Sequence, residues 1–377
     1  MKIGGIGAAV LTAIVIAGVA PAESGQRAPS DEVQRRREAM RERREELRRA
    51  RQAARRGPTA SEPFTAAAKI GRQGTFNLVS PAGTVTVTAS SGDDVRIDAV
   101  KRVWDRTDAE AKAALSDVTI DVTARPGGVD VRANAQRAHL LDAEVDFTIA
   151  VPAGASVSIR TGSGDVTVSG VRGELRAETA GGSIRATSLG QVRLLRTLSG
   201  AVSLDNVESS DVTVSTLSGA VTVRQLKAKS ADLRTVAGDV TIADSEAERL
   251  IVQSLSGRVE LAGRLAPTAR YSLQSQSGDI QFTPVGTSDF ELEAATVGGT
   301  LRSDFPITVD ERREGTGPAT GTGLGRIGRA GRSGGRGDGS GRGTGGGNVH
   351  VLRGVSGNGG PVVTARSFRG NITIIKR

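Results

Sequence analysis

The chain has 377 residues and no cysteine. Disulfides, thiolate metal centres and a lipid-bearing cysteine anchor are therefore excluded. Histidine is nearly as scarce. His139 and His350 are the two present, neither has a partner, and a histidine-rich metal site is excluded with them. Aromatic residues make up only 2% of the chain. A core with so few rings must be filled by Val, Leu, Ile and Ala, which suits thin repetitive layers better than one thick interior. The single tryptophan, Trp104, reads as a local packing anchor. Beyond Ala22 no apolar run approaches the length of a membrane span.

What is present is glycine, 50 residues of it, and a formal net charge of +9. Met1-Lys2 is a short basic start, Ile3 to Val19 is apolar, and Ala20-Pro21-Ala22 supplies small residues before Glu23. This is the three-part pattern of a secretory signal over residues 1–22. The competing reading is an uncleaved N-terminal anchor, since the run is close to spanning length.

Residues 23–60 form a charged helix or linker. Ser30 is a candidate N-cap, Asp31-Glu32 favour a first helical turn, and Gly57-Pro58 would end it. Between Asp31 and Arg56 there are eleven arginines and six acidic residues. Val33, Met40, Leu47 and Ala54 recur every seven residues, one apolar position per heptad where a coiled coil needs two. The segment reads as a solvated helix or basic linker, with contact to an anionic surface as the sharper alternative.

Residues 62–155 change to period two. Phe76 and Leu78, then Val85 and Val87 after Gly83, alternate as strands do. Asp105 to Leu115 is a short helical stretch. Val118 to Val122 and Val129 to Val131 flank Pro126-Gly127-Gly128 as a hairpin.

Over residues 156–310 the sequence repeats. One glycine marks each unit: Gly164, Gly182, Gly200, Gly219, Gly238, Gly257, Gly278 and Gly299, at intervals of 18 to 21 residues. Two residues after each comes Val166, Ile184, Val202, Val221, Val240, Val259, Ile280 or Leu301, all apolar. Four after it the residue is again apolar, except Ser303. Positions five and seven before the glycine are apolar too, Arg193 being the misfit, which marks a local one-residue shift. Leu198, Leu217, Val236 and Leu255, two before the glycine, form a third apolar column, expected in the core. Such a unit buries almost nothing alone, so stacking at about 4.8 Å must supply one continuous core. The repeat glycine is expected at a corner that needs positive φ or has no room for a side chain.

The expected fold is all-β, a parallel β-solenoid or β-helix with coils of about 19 residues, preceded by the signal segment and charged helix. Gly83 has the phase of an early coil. Gly370, with Val363, Ala365, Ile372 and Ile374, has the phase of a closing coil over residues 348–377. Residues 311–347, rich in Gly, Arg, Ser and Thr, read as a disordered insertion between coils.

The phrases Thr161-Gly-Ser-Gly-Asp-Val-Thr-Val168 and Val151-Pro-Ala-Gly-Ala-Ser-Val157 resemble the bacterial "putative adhesin" family of β-strand-repeat domains of unknown function. So does the recurring Leu-Ser-Gly-Ala-Val at 198–202 and 217–221. The likeness runs from Phe64 to Arg377 apart from the insertion. It implies solenoid architecture and envelope location, and it brings no catalytic residues.

Chemistry-bearing groups are few. Asp165, Asp239 and Asp279 each follow a repeat glycine. A calcium ladder would need that position acidic throughout, and Ser183, Ala201, Ala220 and Arg258 break it, so turn chemistry is preferred. Carboxylate pairs for glycoside hydrolysis must lie within about 10 Å, and the outward acids are scattered. Thr167, Thr222 and Thr241 form too irregular a row for lattice matching. Arg336-Gly337-Asp338 matches an integrin-binding tripeptide inside a tract where it arises by chance. The same tract resembles a nucleic-acid-binding segment, but the export signal argues against a nucleic-acid partner.

No catalytic residue, metal site or cofactor is expected. The reading is a non-enzymatic, exported cell-envelope module that binds or scaffolds envelope polymer, a membrane surface or another protein. Alternatives are a self-assembling envelope filament, a carbohydrate-active β-helix enzyme and a stress sensor. Capped ends would favour a binder, and bare apolar ends a filament.

Overall fold

The computed structural model describes residues 59–104, 107–135, 143–286, 289–308 and 349–376. The signal segment, the charged segment up to Pro58, His139 and residues 311–347 lie outside them. The described chain is all-β with one short helix.

In chain order the first elements are β1 (Ala60–Lys69), β2 (Thr75–Ala82), β3 (Val85–Ser90), β4 (Asp94–Val103), α1 (Asp108–Asp117), β5 (Val118–Arg125), β6 (Gly128–Ala135) and β7 (Ala143–Pro152). Thr107 caps α1: its hydroxyl accepts from the Glu110 N–H at 3.3 Å, satisfying one of the helix's free donors. Ala111, Ala114 and Leu115 are buried.

The repeats follow as β8 (Ser156–Ser163), β9 (Val166–Ser169), β10 (Glu174–Gly181), β11 (Ile184–Leu189), β12 (Gln191–Ser199), β13 (Val202–Ser218), β14 (Val221–Ala237), β15 (Val240–Ser254) and β16 (Val259–Gly263). The last are β17 (Arg270–Ser275), β18 (Ile280–Pro284), β19 (Phe290–Thr296), β20 (Leu301–Ser303), β21 (His350–Ser356), β22 (Val362–Ser367) and β23 (Ile372–Ile374).

Neighbouring units pair in parallel, like residue on like. Val202, Val221, Val240, Val259 and Ile280 are successive partners, as are Val214, Leu233, Val252 and Leu273. All nine are buried. At Arg193 the register slips: Leu175 pairs with Val192 but Arg176 with Leu194. Arg193 is the extra, exposed residue, and Val192 takes the interior place.

Two features differ from the sequence expectation. The column two before the glycine is not core. Leu198, Leu217, Val236 and Leu255 keep 46, 52, 40 and 47% of their surface exposed. Residues seven, five and three before the glycine point inward by strand alternation, so position minus two points out. The third apolar column stands seven after the glycine, at Val171, Leu189, Val207 and Leu226, all buried. A second corner puts it there. Ser188, Asn206, Gln225 and Asp244, six after the glycine, have φ of 54, 52, 50 and 51°, and this left-handed residue resets the alternation.

The second difference is the place of the C-terminal unit. Expected to close the array, it is interposed. β22 pairs with β17 on one side and β19 on the other, and β23 likewise lies between β18 and β20. The Gly299 unit is therefore outermost. There β21 runs antiparallel along β19, and Phe305 is buried edge-on against Phe290 at 5.2 Å.

At the other end the Gly83 unit, β2–β3, stacks on β8–β9, then on β6 and β7. Here pairing turns antiparallel: β4 runs against both β7 and β1, and β5 against β6. The ladders thus pass into antiparallel strands at β4, β5 and β21, which cover the edges of β7, β6 and β19, while β20 has β23 as its one partner strand among the described residues.

The repeat glycines form one column. A Cβ on Gly219 would lie 1.9 Å from the Gly200 carbonyl oxygen, and one on Gly200 would lie 2.0 Å from that of Gly182. Positive φ is confined to the early members Gly83, Gly164 and Gly182. Elsewhere close backbone approach alone excludes a side chain. Gly219→Ala is expected to cost about 3 kcal/mol through forced displacement of backbone, read as a lower urea midpoint. Gly181→Ala is the control. Its Cβ would meet nothing nearer than 3.9 Å, and the midpoint should stay near wild type.

Candidate functional site

Three adjoining columns meet at the glycine corner, and the repeat glycines and the aspartates singled out in the sequence occupy two of them. The first is the glycine column itself. The second was missed: Thr161, Thr179, Thr197, Thr216, Thr235, Ser254, Ser275, Thr296 and Ser367, three before each glycine, are all buried. From Thr179 onward their hydroxyls donate to the glycine carbonyl of the preceding unit in the stack, whereas Thr161 donates to Ser163 O at 2.9 Å. Thr197 bonds Gly182 O at 3.0 Å, Thr216 bonds Gly200 O at 3.3 Å, and Ser254 bonds Gly238 O at 3.2 Å. The pattern holds across the interposed unit, where Ser367 bonds Gly278 O at 3.1 Å and Thr296 bonds Gly370 O at 2.8 Å. Several also accept from the N–H of their own corner glycine, as Ser275 does from Gly278 at 2.8 Å. An invariable Ser or Thr at this phase was the available signal.

The third column holds the aspartates. Asp165 Oδ1 accepts from Ser183 N–H at 2.7 Å, Asp239 from Arg258 N–H at 2.8 Å, and Asp279 from Asn371 N–H at 2.7 Å. Each carboxylate satisfies the first amide after the next unit's glycine, which is turn chemistry. Asn371 does the same for Thr300 at 2.9 Å. Among the described residues no three His, Cys, Asp or Glu side chains cluster as metal ligands.

Trp104 is half-buried and His350 exposed. Thr167, Thr222 and Thr241 share their outward column with Arg185, Ser203, Glu260 and Gln281, so they form no uniform face. Arg336-Gly337-Asp338 lies outside the described residues.

Beside the corner runs an open groove of about 830 Å³. Its rim is the exposed column two before the glycine. In stacking order this ridge reads Leu198, Leu217, Val236, Leu255, Gln276, Phe368 and Val297. The ladder continues beneath it: Ser256 N–H donates to Val236 O at 2.9 Å, Ser277 to Leu255 O at 3.0 Å, Arg369 to Gln276 O at 3.0 Å and Gly298 to Phe368 O at 2.9 Å. Next to the ridge, four before the glycine, a polar column reads Arg160, Glu178, Arg196, Ser215, Arg234, Gln253, Gln274, Arg366 and Ala295. Asp232 grips Arg234 with two bonds of 2.8 and 2.7 Å, which raise its pKa above the ordinary value.

Glu293 Oε1 accepts from both Arg353 and Arg366 at 3.0 Å. Partial burial pushes its carboxyl up, but the bonds and charges of the two arginines outweigh this, and its pKa lies below the ordinary value.

A glycine-cornered β-ladder protein with an exposed apolar ridge is the class these features define. The family model described as Toastrack DUF4097, a domain of unknown function, matches residues 84–323, and the chain belongs to that family. No curated protein matches the chain significantly.

Three solved structures are similar. A "putative adhesin" from Bacteroides fragilis has 12% identity and a TM-score of 0.37, over 84% of this chain and 97% of that one. A "putative cell adhesion protein" from Clostridium sporogenes has 6% identity and a TM-score of 0.23, over 84% of this chain and 100% of that one. A "putative lipid binding protein" from Parabacteroides distasonis has 12% identity and a TM-score of 0.35, over 59% of this chain and 90% of that one. At these values none bears on what this chain does.

Thr216→Val is expected to cost about 1–2 kcal/mol, because a buried carbonyl loses its donor. Thr216→Ser should retain most of that stability, and equal losses in a denaturant titration would count against the hydroxyl ladder. A lowered carboxyl pKa stabilises the fold above the ordinary glutamate value, about 4.3, and the contribution is lost as pH falls through the lower folded value. Glu293→Gln should therefore melt below wild type near neutrality and converge with it in acid. Melting curves offset equally at every pH would contradict this.

Proposed function

We propose that the chain is an exported, non-enzymatic binding or scaffolding module of the cell envelope, adhesin-like in the broad sense, whose units wind as a parallel β-solenoid. The observation that carries the reading is the ridge. A core built from uniform columns leaves one apolar column on the outside, over a backbone that is bonded on both sides at Leu255, Gln276 and Phe368. Exposed contiguous apolar surface of this kind marks interaction sites.

Three features support the reading over its rivals. The antiparallel strands and buried Phe305 at the two ends favour a discrete binder over a filament growing end to end. The aspartates an enzyme would need at the corner hold amides of neighbouring units. The pattern of residues 1–22 is what export requires.

The full chain should be a monomer by light scattering and should bind saturably to isolated envelopes, separable into membranes and murein sacculi. Retention by neither fraction would refute the binding role, and concentration-dependent filaments would favour the structural alternative.

A further inference from the structure

We propose that the ridge is a docking edge for a bilayer surface bearing anionic phospholipid headgroups. This rests on the binding role above and names its partner.

Three observations select that occupant. The first is charge. The columns flush with the ridge carry Arg196, Arg234, Arg366 and Arg369. Arg234 and Arg366 are held in place by Asp232 and Glu293. Arg196 and Arg369 are exposed and make no ion pair among the described residues. A second copy docking through the same ridge would bring these arginine rows against each other, whereas phosphate headgroups complement them.

The second is the state of the backbone. Leu255, Gln276 and Phe368 each have both N–H and C=O bonded within the ladder. No pairing edge is offered to an extended peptide strand, so a strand-adding partner has nothing to bond. The same saturation lets the ridge enter an acyl–headgroup boundary without stranding polar groups in an apolar medium.

The third is dimension. Six ladder steps from Leu198 to Val297 span roughly 29 Å at the usual strand spacing. Apolar side chains occupy six of the seven positions, with Gln276 as the interruption. The residues that follow the Leu and Val positions are small, Ser199, Ser218, Ala237 and Ser256 among them, so the Leu and Val tips are unscreened on that side. A narrow apolar line bordered by cations is the surface that lies in a membrane interface without crossing it.

The test is co-sedimentation of the full chain with vesicles of phosphatidylcholine alone or mixed with phosphatidylglycerol. Wild type should bind the anionic vesicles and release them as salt is raised. Leu217→Ser with Leu255→Ser, at half-exposed positions, should melt as wild type and lose at least about tenfold in partitioning. Arg196→Gln and Arg369→Gln should each weaken binding roughly fivefold.

Wild-type affinity in the leucine pair overturns the proposal, because binding then runs through another part of the chain, such as the arginine-rich segment. A wild-type dimer that the leucine pair converts to monomer also overturns it, making the ridge an interface between copies. Failure to bind either vesicle while murein sacculi still retain the protein overturns the lipid assignment alone and leaves the binding role standing.

Discussion

The contact on which the rest depends is the approach of one unit's glycine to the carbonyl of the glycine before it. Everything at the corner follows from that closeness. A side chain is excluded because its Cβ would fall within about 2 Å of a neighbouring carbonyl oxygen. The carbonyl is turned into the stack and needs a donor, which the Ser or Thr three residues before the approaching glycine supplies. The first amide beyond the corner faces outward, and an aspartate or asparagine of the adjoining unit accepts from it where one is present. Glycine, hydroxyl and carboxamide or carboxylate are thus three answers to one problem, that of satisfying backbone polar groups where two strands meet at a sharp angle.

Much of this was legible in the sequence because strands have period two. The columns two and four after the glycine and five and seven before it alternate strictly and proved interior, except at Arg193 and at Leu301 and Ser303 in the outermost unit. The misplaced column shows the limit. Leu198, Leu217, Val236 and Leu255 were assigned to the core on residue type, against their parity; the threonines beside them have the inward parity and were passed over. A count along the strand would have placed both correctly. The buried column at Val171, Leu189, Val207 and Leu226 was hidden for a different reason. It follows a left-handed residue that resets the alternation, and Ser188 and Gln225 are not types that advertise positive φ.

The edges were less legible than the interior. Nothing in a repeat states where the ladder stops. The antiparallel strands that flank the parallel region obey the same alternation and differ only in pairing, which depends on partners far away in sequence. Phe305 and Phe290 meet edge-on and place two of the chain's scarce aromatic rings at the outermost unit, where a repeat lacks a neighbour on one side and a large ring fills the space an extra unit would have occupied.

The interposed C-terminal unit imposes an order of assembly. From the Gly182 unit through the Gly278 unit, each new pair of strands can settle on the one made just before it, as the chain emerges. The Gly299 unit cannot. Its place in the stack is separated from β17 and β18 by β22 and β23, which come later in the chain. Residues 289–303 must therefore wait, unpaired on that side, until residues 362–374 have been made. Completion of the array is tied to the arrival of those two strands, and a chain cut short before Val362 would lack a middle layer and not an end.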